Sequence, residues 1–343
     1  MSLDQQLQNI WYGKSGFGWL LAPLSWLFGS IAAIRRGLFR YGVLRSVELQ
    51  QPVIVVGNLT VGGTGKTPLV IWLANRLSDR GQRVAVITRG YGGKSASWPQ
   101  MVQGASDPAL VGDESVLIAQ QTRACVIAGP DRVVSAQQAI AQGAEIVISD
   151  DGLQHYRLQR DGELIVVDAS RMFGNGRLLP AGPLREPVSR LQQADLLLLN
   201  QRSVSEIVAL PEMRIPMVSY RLDLTQLRAL SSGAILPLAD FYGKSVHVVT
   251  AIGHPQAFVA ALEQAGMQVD ARLLRDHAIL TQADLEFGDD WPVLMTAKDA
   301  VKCRRFAAAH HWVVEAQVAM SDAAAAQVMQ CVDDILKRAQ AQH

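Results

Sequence analysis

The residues best suited to chemistry are glycines, a lysine and a threonine that follow an apolar segment. Gly62, Gly63 and Gly65 let the backbone turn so that successive N–H groups point inward, and Lys66 and Thr67 open a helical pattern. Backbone amides at a helix N-terminus bind phosphate, the lysine reaches the outer phosphates, and the threonine hydroxyl can ligate Mg²⁺. This combination predicts a nucleoside triphosphate site.

The match to the phosphate-loop pattern GxxxxGKT is complete except at its first position, where Thr60 replaces glycine. An ordinary glycine turn between a strand and a helix is the alternative interpretation. The run GGTGKT between an apolar segment and a helical one favours the triphosphate site. The residues predicted to contact the nucleotide or its phosphates are Thr60, Val61, Gly62, Gly63, Thr64, Gly65, Lys66 and Thr67.

A pair of carboxylates, Asp150 and Asp151, ends another apolar segment. In phosphate-loop proteins a carboxylate at the end of a strand accompanies the metal ion. Two unpaired carboxylates beside a buried sheet are costly, so we expect Mg²⁺ or a water network to neutralise them. A turn that caps a helix is the alternative. The predicted metal residues are Thr67, Asp150 and Asp151.

Other polar residues are ambiguous when each is taken alone. Asp113 in Gly-Asp-Glu could be a general base or merely the N-cap of a helix. Arg89 in Thr-Arg-Gly-Tyr-Gly-Gly could pair with a phosphate or lie in a surface turn. His277, after Asp276, is a lone histidine in a predicted loop. Lys298 begins a Lys-Asp pair that resembles a guanine-binding motif, but its spacing is wrong and does not support guanine specificity.

The elements that must position these residues follow an alternating pattern after Pro52. Continuous apolar segments are typical of strands buried on both faces of a parallel sheet, and amphipathic stretches lie between several of them. We therefore predict an α/β fold, a wound parallel sheet like that of phosphate-loop NTPases. The predicted strands are 52–58, 83–88, 124–129, 145–150, 163–168 and 195–200, and the predicted helices are 66–80, 113–121 and 131–142.

A second, smaller α/β domain is predicted after residue 216. A Gly- and Pro-rich loop at 173–187 precedes it and looks functional. The segment 217–230 alternates polar and apolar residues, which predicts a hairpin or a linker pair. Further strands and helices follow at 245–253, from 255, at 292–298, from 299 and at 321–340. The predicted domains are 1–45, an N-terminal membrane-associating region, 46–215 and 216–343.

The N-terminal segment 15–34 carries no charged residue. As a helix rising ~1.5 Å per residue it would reach about 30 Å, the thickness of the bilayer core. Tryptophans at its start and arginines after it suit a membrane edge, and the arginines place the rest of the chain on the cytoplasmic side. Pro23 would kink or weaken a span, so spanning and interfacial helices both stay open, beside a buried core helix and a cleaved signal peptide.

Composition excludes several classes of protein. With 49% hydrophobic and 18% charged residues, the 343-residue chain has ample apolar surface to fold. A net charge of +1 argues against a nucleic-acid partner. The three cysteines have no spacing typical of a disulfide framework or a zinc site. A mean hydropathy of +0.13 is high for a soluble enzyme, and the N-terminal segment accounts for part of it.

Several motifs, in order, together resemble the tetraacyldisaccharide 4′-kinase family, the lipid A 4′-kinases of Gram-negative bacteria. The resemblance covers nearly the whole chain, including the apolar N-terminus. The matching motifs are VGNLTVGGTGKTP (56–68), TRGYGG (88–93), GDE (112–114), SDDGLQH (149–155), LLPAGPLREP (178–187), AIGHPQAF (251–258), DH (276–277) and TAKDAVK (296–302).

The resemblance implies ATP-dependent phosphorylation of the 4′-hydroxyl of a tetraacyldisaccharide 1-phosphate at the cytoplasmic face of the bacterial inner membrane. The product would be lipid IVA, Mg²⁺ the cofactor, and the lipid precursor and bilayer the partners, with no obligate protein partner. By motif, Asp113 would be the base and His277 would orient it, with His254 and His155 left open as alternatives. The residues placed around the substrate or transferred phosphate would be Arg89, His155, Arg185 and Glu186.

Two other functions share the phosphate loop. A membrane-associated switch ATPase of the partitioning type carries a lysine before its paired glycines, where this chain has Val61. A soluble phosphate-loop kinase of small metabolites would not need the apolar N-terminus. Both alternatives fit the sequence less well than the lipid kinase.

Overall fold

The computed structural model describes residues 3–13, 16–201 and 215–341, in which helices and strands alternate. The helices are α1 (Leu3–Tyr12), α2 (Ala22–Arg40), α3 (Lys66–Asp79), α4 (Pro108–Val111), α5 (Asp113–Gln121), α6 (Arg132–Ala141), α7 (Pro255–Gln264), α8 (Gln282–Leu285), α9 (Ala297–Cys303) and α10 (Asp322–Gln340). The strands are β1 (Val53–Gly57), β2 (Val84–Thr88), β3 (Gln100–Val102), β4 (Cys125–Ala128), β5 (Ile146–Asp150), β6 (Gly162–Asp168), β7 (Leu196–Asn200), β8 (Met217–Ala229), β9 (Ile235–Pro237), β10 (Ser245–Thr250), β11 (Gln268–Leu273), β12 (Val293–Thr296) and β13 (His311–Ala319).

The predicted wound parallel sheet is confirmed. Strands β7, β6, β1, β5, β2 and β4 are neighbours in that order and all run parallel, and β3 adds an antiparallel edge. The six predicted strands lie within two residues of the observed ones. Strand β3 was not predicted because three residues are too few to show a periodic pattern.

Strand β8 joins this sheet to the second set of strands. The segment predicted as a hairpin or linker pair is one 13-residue strand, so that prediction is wrong in part. Its first residues, Met217 to Tyr220, pair parallel with β7, and its later residues pair antiparallel with β13. Only its end forms a hairpin, with β9. A period of two fits a long strand as well as a hairpin, which is why the pattern alone could not separate them.

The last helix packs against elements from the first part of the chain. Val328, Val332, Ile335 and Leu336 of α10 are buried in the same core as α3, α5 and strands β1, β6 and β7. We therefore propose a first lobe made of the described residues 46–201 together with α10, and a second lobe of 216–321. The predicted boundary at 216 falls at the strand that the two lobes share.

The N-terminal apolar segment is a 3₁₀ helix, Gly16–Leu21, followed by α2. Pro23 lies in the first turn of α2, where its missing N–H leaves no hydrogen bond unmade, so it does not kink the helix. Of the described residues, 18–40 form the one helical stretch long and apolar enough to cross a membrane. Its side chains are largely exposed, so it is not a buried core helix. The exposed apolar residues are Trp19, Leu20, Leu24, Trp26, Leu27, Ile31 and Ile34.

Candidate active site

The phosphate loop connects β1 to α3, and a buried side chain within the loop, Asn58, holds its shape by hydrogen bonds. The Asn58 amide is fully buried, donates to the Thr60 carbonyl (2.8 Å) and accepts from Lys66 Nζ (3.0 Å). Gly65 has φ +85° at the N-cap of α3, and a Cβ there would lie 2.4 Å from Asn200 Nδ2. Glycine is therefore required at this turn for both its conformation and its size.

The first half of the phosphate loop pairs with the 173–187 loop. The Val61 N–H donates to the Pro183 carbonyl (2.8 Å), and Thr60 forms an isolated antiparallel bridge with Leu184. The chain is extended here, which explains why Thr60 can replace glycine. The Val61 N–H is already used in this pairing, and the phosphate contact of Val61 stays a prediction. The turn 62–65 is the part of the loop shaped to surround phosphate.

The surroundings of the two carboxylates at the end of β5 shift their pKa values in opposite directions. Asp151 accepts two hydrogen bonds from Arg185 Nη1 (3.0 and 2.9 Å) and lies 3.4 Å from Lys66 Nζ. Burial would raise the pKa of Asp151, but these two cations outweigh it and hold the pKa well below its usual range. For Asp150, burial and then the charge of Glu114 raise the pKa to about 7. A cation beside Asp150 would favour its ionised form.

Two of the residues predicted for Mg²⁺, Asp150 and Thr67, have surroundings that suit that ion. Asp150 Oδ1 is buried and has no hydrogen-bond partner, which leaves one carboxylate oxygen free for a hard cation. Thr67 lies in the first turn of α3, as the phosphate-loop pattern requires. Within the described ranges no three His, Cys, Asp or Glu side chains cluster as a metal cage. Mg²⁺ suits such a site because it uses few carboxylates and completes its shell with phosphate oxygens and waters.

Arg132 also lies beside the two carboxylates, although no sequence motif pointed to it. It is the first residue of α6, is 2% exposed, and donates from Nη2 to the Asp150 carbonyl (3.2 Å). Burial lowers the pKa of its guanidinium to about 10, against the opposing pull of Asp150 and Asp151, so it stays charged at neutral pH. The available signal was a cation at a helix N-terminus, where the helix dipole disfavours positive charge.

Asp113 faces the second lobe rather than capping its helix. The N-cap of α5 is Gly112, and Asp113 is the first helical residue. Asp113 is therefore not the N-cap residue of this helix. Asp113 Oδ1 accepts the Glu114 N–H (2.8 Å), and Oδ2 lies 3.4 Å from His277 Nδ1. Burial would raise the pKa of Asp113, but the hydrogen bond from His277 and the charge of Lys298 lower it below its usual value. Asp113 is therefore an ionised, buried carboxylate next to an imidazole.

The geometry distinguishes the three candidate histidines. His277 is the one beside Asp113, and its ring is 4.6 Å from the ring of Tyr91. His254 Nδ1 caps α7 by accepting the Ala257 N–H (3.2 Å). His155 lies near Arg132, and burial together with that charge lowers its pKa to about 4. The arrangement therefore supports His277 as the partner of Asp113.

The remaining predicted substrate residues differ in exposure. Arg89 is exposed where β2 ends. Arg185 is fixed by its N–H to the Leu59 carbonyl (2.7 Å) and by Asp151. Glu186 is 4% exposed and accepts from the Tyr156 hydroxyl, so it is enclosed rather than open to a substrate. In this structure Glu186 supports the loop that carries Arg185, and its place around the substrate stays a prediction.

Comparison with known proteins identifies the family. The family model described as Tetraacyldisaccharide-1-P 4′-kinase matches residues 17–334. The chain belongs to this kinase family. This membership decides against the switch ATPase and the small-metabolite kinase.

Relatives of this kinase match along most of its length. The tetraacyldisaccharide 4′-kinase of Nitrosococcus oceani is 42% identical over 329 residues, 96% of this chain and 94% of the relative. That of Alkalilimnicola ehrlichii is 46% identical over 292 residues, 85% and 86% of the two chains. The crystal structure of LpxK from Aquifex aeolicus in complex with ATP superposes with a TM-score of 0.79 at 28% identity, covering 93% of this chain and 99% of that one.

Proposed function

We propose that this kinase transfers the γ-phosphoryl group of ATP to the 4′-hydroxyl of a tetraacyldisaccharide 1-phosphate, giving lipid IVA. The observation that carries the proposal is the contact between Asp113 of the first lobe and His277 of the second, next to a phosphate loop. Family membership supplies the acceptor, and the LpxK structure with ATP supports the donor.

Different side chains have different roles in the proposed reaction. Lys66 and the turn 62–65 hold the ATP phosphates, and Arg132 and Arg185 add positive charge beside them. Asp113 accepts the proton of the 4′-hydroxyl, a poor nucleophile at neutral pH, and His277 orients that carboxylate. Positioning and charge neutralisation provide most of the rate in such transfers.

Mg²⁺ would be held by Thr67, Asp150 and Asp151. When bound, it neutralises negative charge on the phosphates of ATP. The unpartnered Asp150 Oδ1 supports this placement. Removing divalent metal with a chelator should stop transfer, and Mg²⁺ should restore it.

We also propose that α2 attaches the kinase to the cytoplasmic face of the inner membrane, where a lipid acceptor resides. The exposed apolar stripe formed by Leu20, Leu24, Leu27, Ile31 and Ile34 faces away from the protein and supports this attachment. The arginines that end α2 suit the anionic cytoplasmic leaflet.

Transfer of label from γ-³²P-ATP to a tetraacylated disaccharide 1-phosphate in mixed micelles tests the proposed reaction. The wild-type protein should label the lipid, and Lys66→Ala should not, because the outer phosphates lose their cation. Lys337→Ala, a change at an exposed lysine of α10, is the matched control and should be as active as the wild type. Release of free phosphate without labelled lipid, or full activity of Lys66→Ala, would contradict the proposal.

A further inference from the structure

The segment TAKDAVK, at the junction of β12 and α9, has no part in the reaction described above. Its Asp299 is fully buried and accepts hydrogen bonds from the Thr250 hydroxyl (2.8 Å) and the Ala251 N–H (3.2 Å). The Ala251 carbonyl in turn accepts the N–H of His277 (3.1 Å). Because His277 has φ +59°, a costly conformation for a non-glycine residue, this chain of bonds holds its backbone in place.

Lys298 of the same segment contacts the His277 side chain. Its ammonium lies 3.3 Å from His277 Nε2 and 2.9 Å from Glu114 Oε1, so it connects the second lobe to the residue after Asp113. An ammonium group can only donate hydrogen bonds. The Nε2 atom must therefore be the acceptor, which places the imidazole proton on Nδ1, the atom that faces Asp113 Oδ2.

We propose that Lys298 is a positioning residue that fixes His277 in the Nδ1–H tautomer directed at Asp113. The inference rests on the proposed function, since it assigns a role in orienting the proposed base. Asp113 is then held from both sides, with Oδ1 on the Glu114 N–H and Oδ2 on His277. Lys298 thus contacts both His277, which orients the base, and Glu114 of the first lobe.

The surroundings keep Lys298 in its donor form. Burial would lower the pKa of Lys298, but the negative charges of Glu114, Asp113 and Asp276 outweigh burial and raise the pKa above its usual value. Around His277, the other polar groups are Asp276 (3.8 Å from Nε2), the Tyr91 ring and, near Asp113, the Lys302 ammonium. Lys302 is itself bound to Asp299 (3.0 Å), which leaves Lys298 as the cation on Nε2.

Nitrogen NMR of the full-length protein labelled with ¹⁵N-histidine tests the tautomer directly. The His277 signals are assigned by their loss in His277→Gln. In the wild type, Nδ1 should carry the proton. In Lys298→Met, which keeps the aliphatic stem but has no donor, the Nε2–H form should appear. An Nε2–H tautomer in the wild type would overturn the proposal whether or not any variant folds.

Kinetics of the same variant separate positioning from mere stability. Lys298→Met should lower kcat for lipid labelling by at least about tenfold, part of the ~10²–10⁴-fold that a general base contributes, with KM for ATP nearly unchanged. Lys298→Arg should recover part of the loss, and Lys337→Met should match the wild type. A fall in kcat without a change of tautomer would overturn the proposal. Failure of the wild type to label lipid would instead contradict the proposed function, because the NMR measurement needs no acceptor.

Discussion

At the scale of single residues, the site contains carboxylates that differ in pKa because their neighbours differ. Asp151 is held ionised by Lys66 and Arg185, whereas Asp150 has its pKa raised to about 7 by burial and Glu114. Asp113 is ionised despite burial because His277 donates to it. An ionised carboxylate at this position has a lone pair available to accept the proton of a sugar hydroxyl.

Replacing Asp113 by Asn tests the base. The amide keeps an acceptor oxygen for the Glu114 N–H, so the start of α5 should survive, but it cannot accept the hydroxyl proton. We expect kcat to fall by about 10²–10⁴-fold while ATP affinity, measured by calorimetry, stays unchanged. Loss of both folding and ATP binding would mean that Asp113 is structural.

His155 should remain neutral through the physiological pH range. Burial and then the charge of Arg132 lower its pKa from 6.5 to about 4 in the folded protein. The folded protein therefore binds a proton at His155 more weakly than the unfolded chain does. The folded state keeps its full stability from this residue above pH 6.5 and loses it as pH falls towards 4. His155→Gln should therefore lose less stability than the wild type between pH 7 and 4.5 in denaturant titrations. Equal losses would contradict the lowered pKa.

At the scale of elements, α2 is connected to the phosphate loop through one segment. The Ser25 hydroxyl donates to the Leu178 carbonyl (2.7 Å), and Arg36 lies 3.6 Å from Glu186. The segment 178–187 then pairs with the start of the phosphate loop and carries Arg185 to Asp151. The helix that we propose to attach to the membrane is therefore also in contact with the segment that pairs with the phosphate loop.

Two glycines of α2 provide a matched test of this connection. A Cβ on Gly29 would lie 2.7 Å from Leu178 Cδ1, whereas one on Gly37 would meet nothing within 4 Å. Both Gly→Leu changes raise helix propensity by a similar amount, roughly 0.8–1 kcal/mol. Gly29→Leu should lower kcat several-fold and Gly37→Leu should not, while both proteins sediment with membranes. Equal activity of the two variants would show that α2 does not brace the loop.

At the scale of the whole molecule, one shared strand and the last helix join the two lobes. Strand β8 continues the sheet from one lobe into the other, and α10 closes the core of the first lobe. The pairs Asp113–His277 and Glu114–Lys298 cross between the lobes at the site. Stability and assembly of the site therefore depend on residues far apart in the chain.

Truncating a buried side chain of α10 should destabilise the lobe that holds the phosphate loop. Ile335 is fully buried and packs directly against Gly162 of β6. Ile335→Ala should cost about 2–5 kcal/mol in the free energy of unfolding, measured with urea. The control Gln327→Ala, at an exposed position of the same helix, should stay within about 0.5 kcal/mol. A small effect at Ile335 would mean that α10 is not part of that core.

The sequence alone determined the features that neighbouring residues encode. The six central strands, the phosphate loop and the start of α3 follow from apolar runs and from glycines at fixed spacing, because these signals act over a few residues. The ordered motifs were also sufficient to indicate the family, which the comparison confirmed.

Only the tertiary structure decided which distant residues meet. It placed His277 rather than His254 beside Asp113, added Arg132 to the carboxylate pair, enclosed Glu186, and returned α10 to the first lobe. Apart from the position of Arg132 at a helix N-terminus, these contacts have no local signal, since each depends on how sheet order and helix packing bring separate segments together. Burial and opposing charge then set the protonation of the carboxylates, and both arise only when the chain is folded.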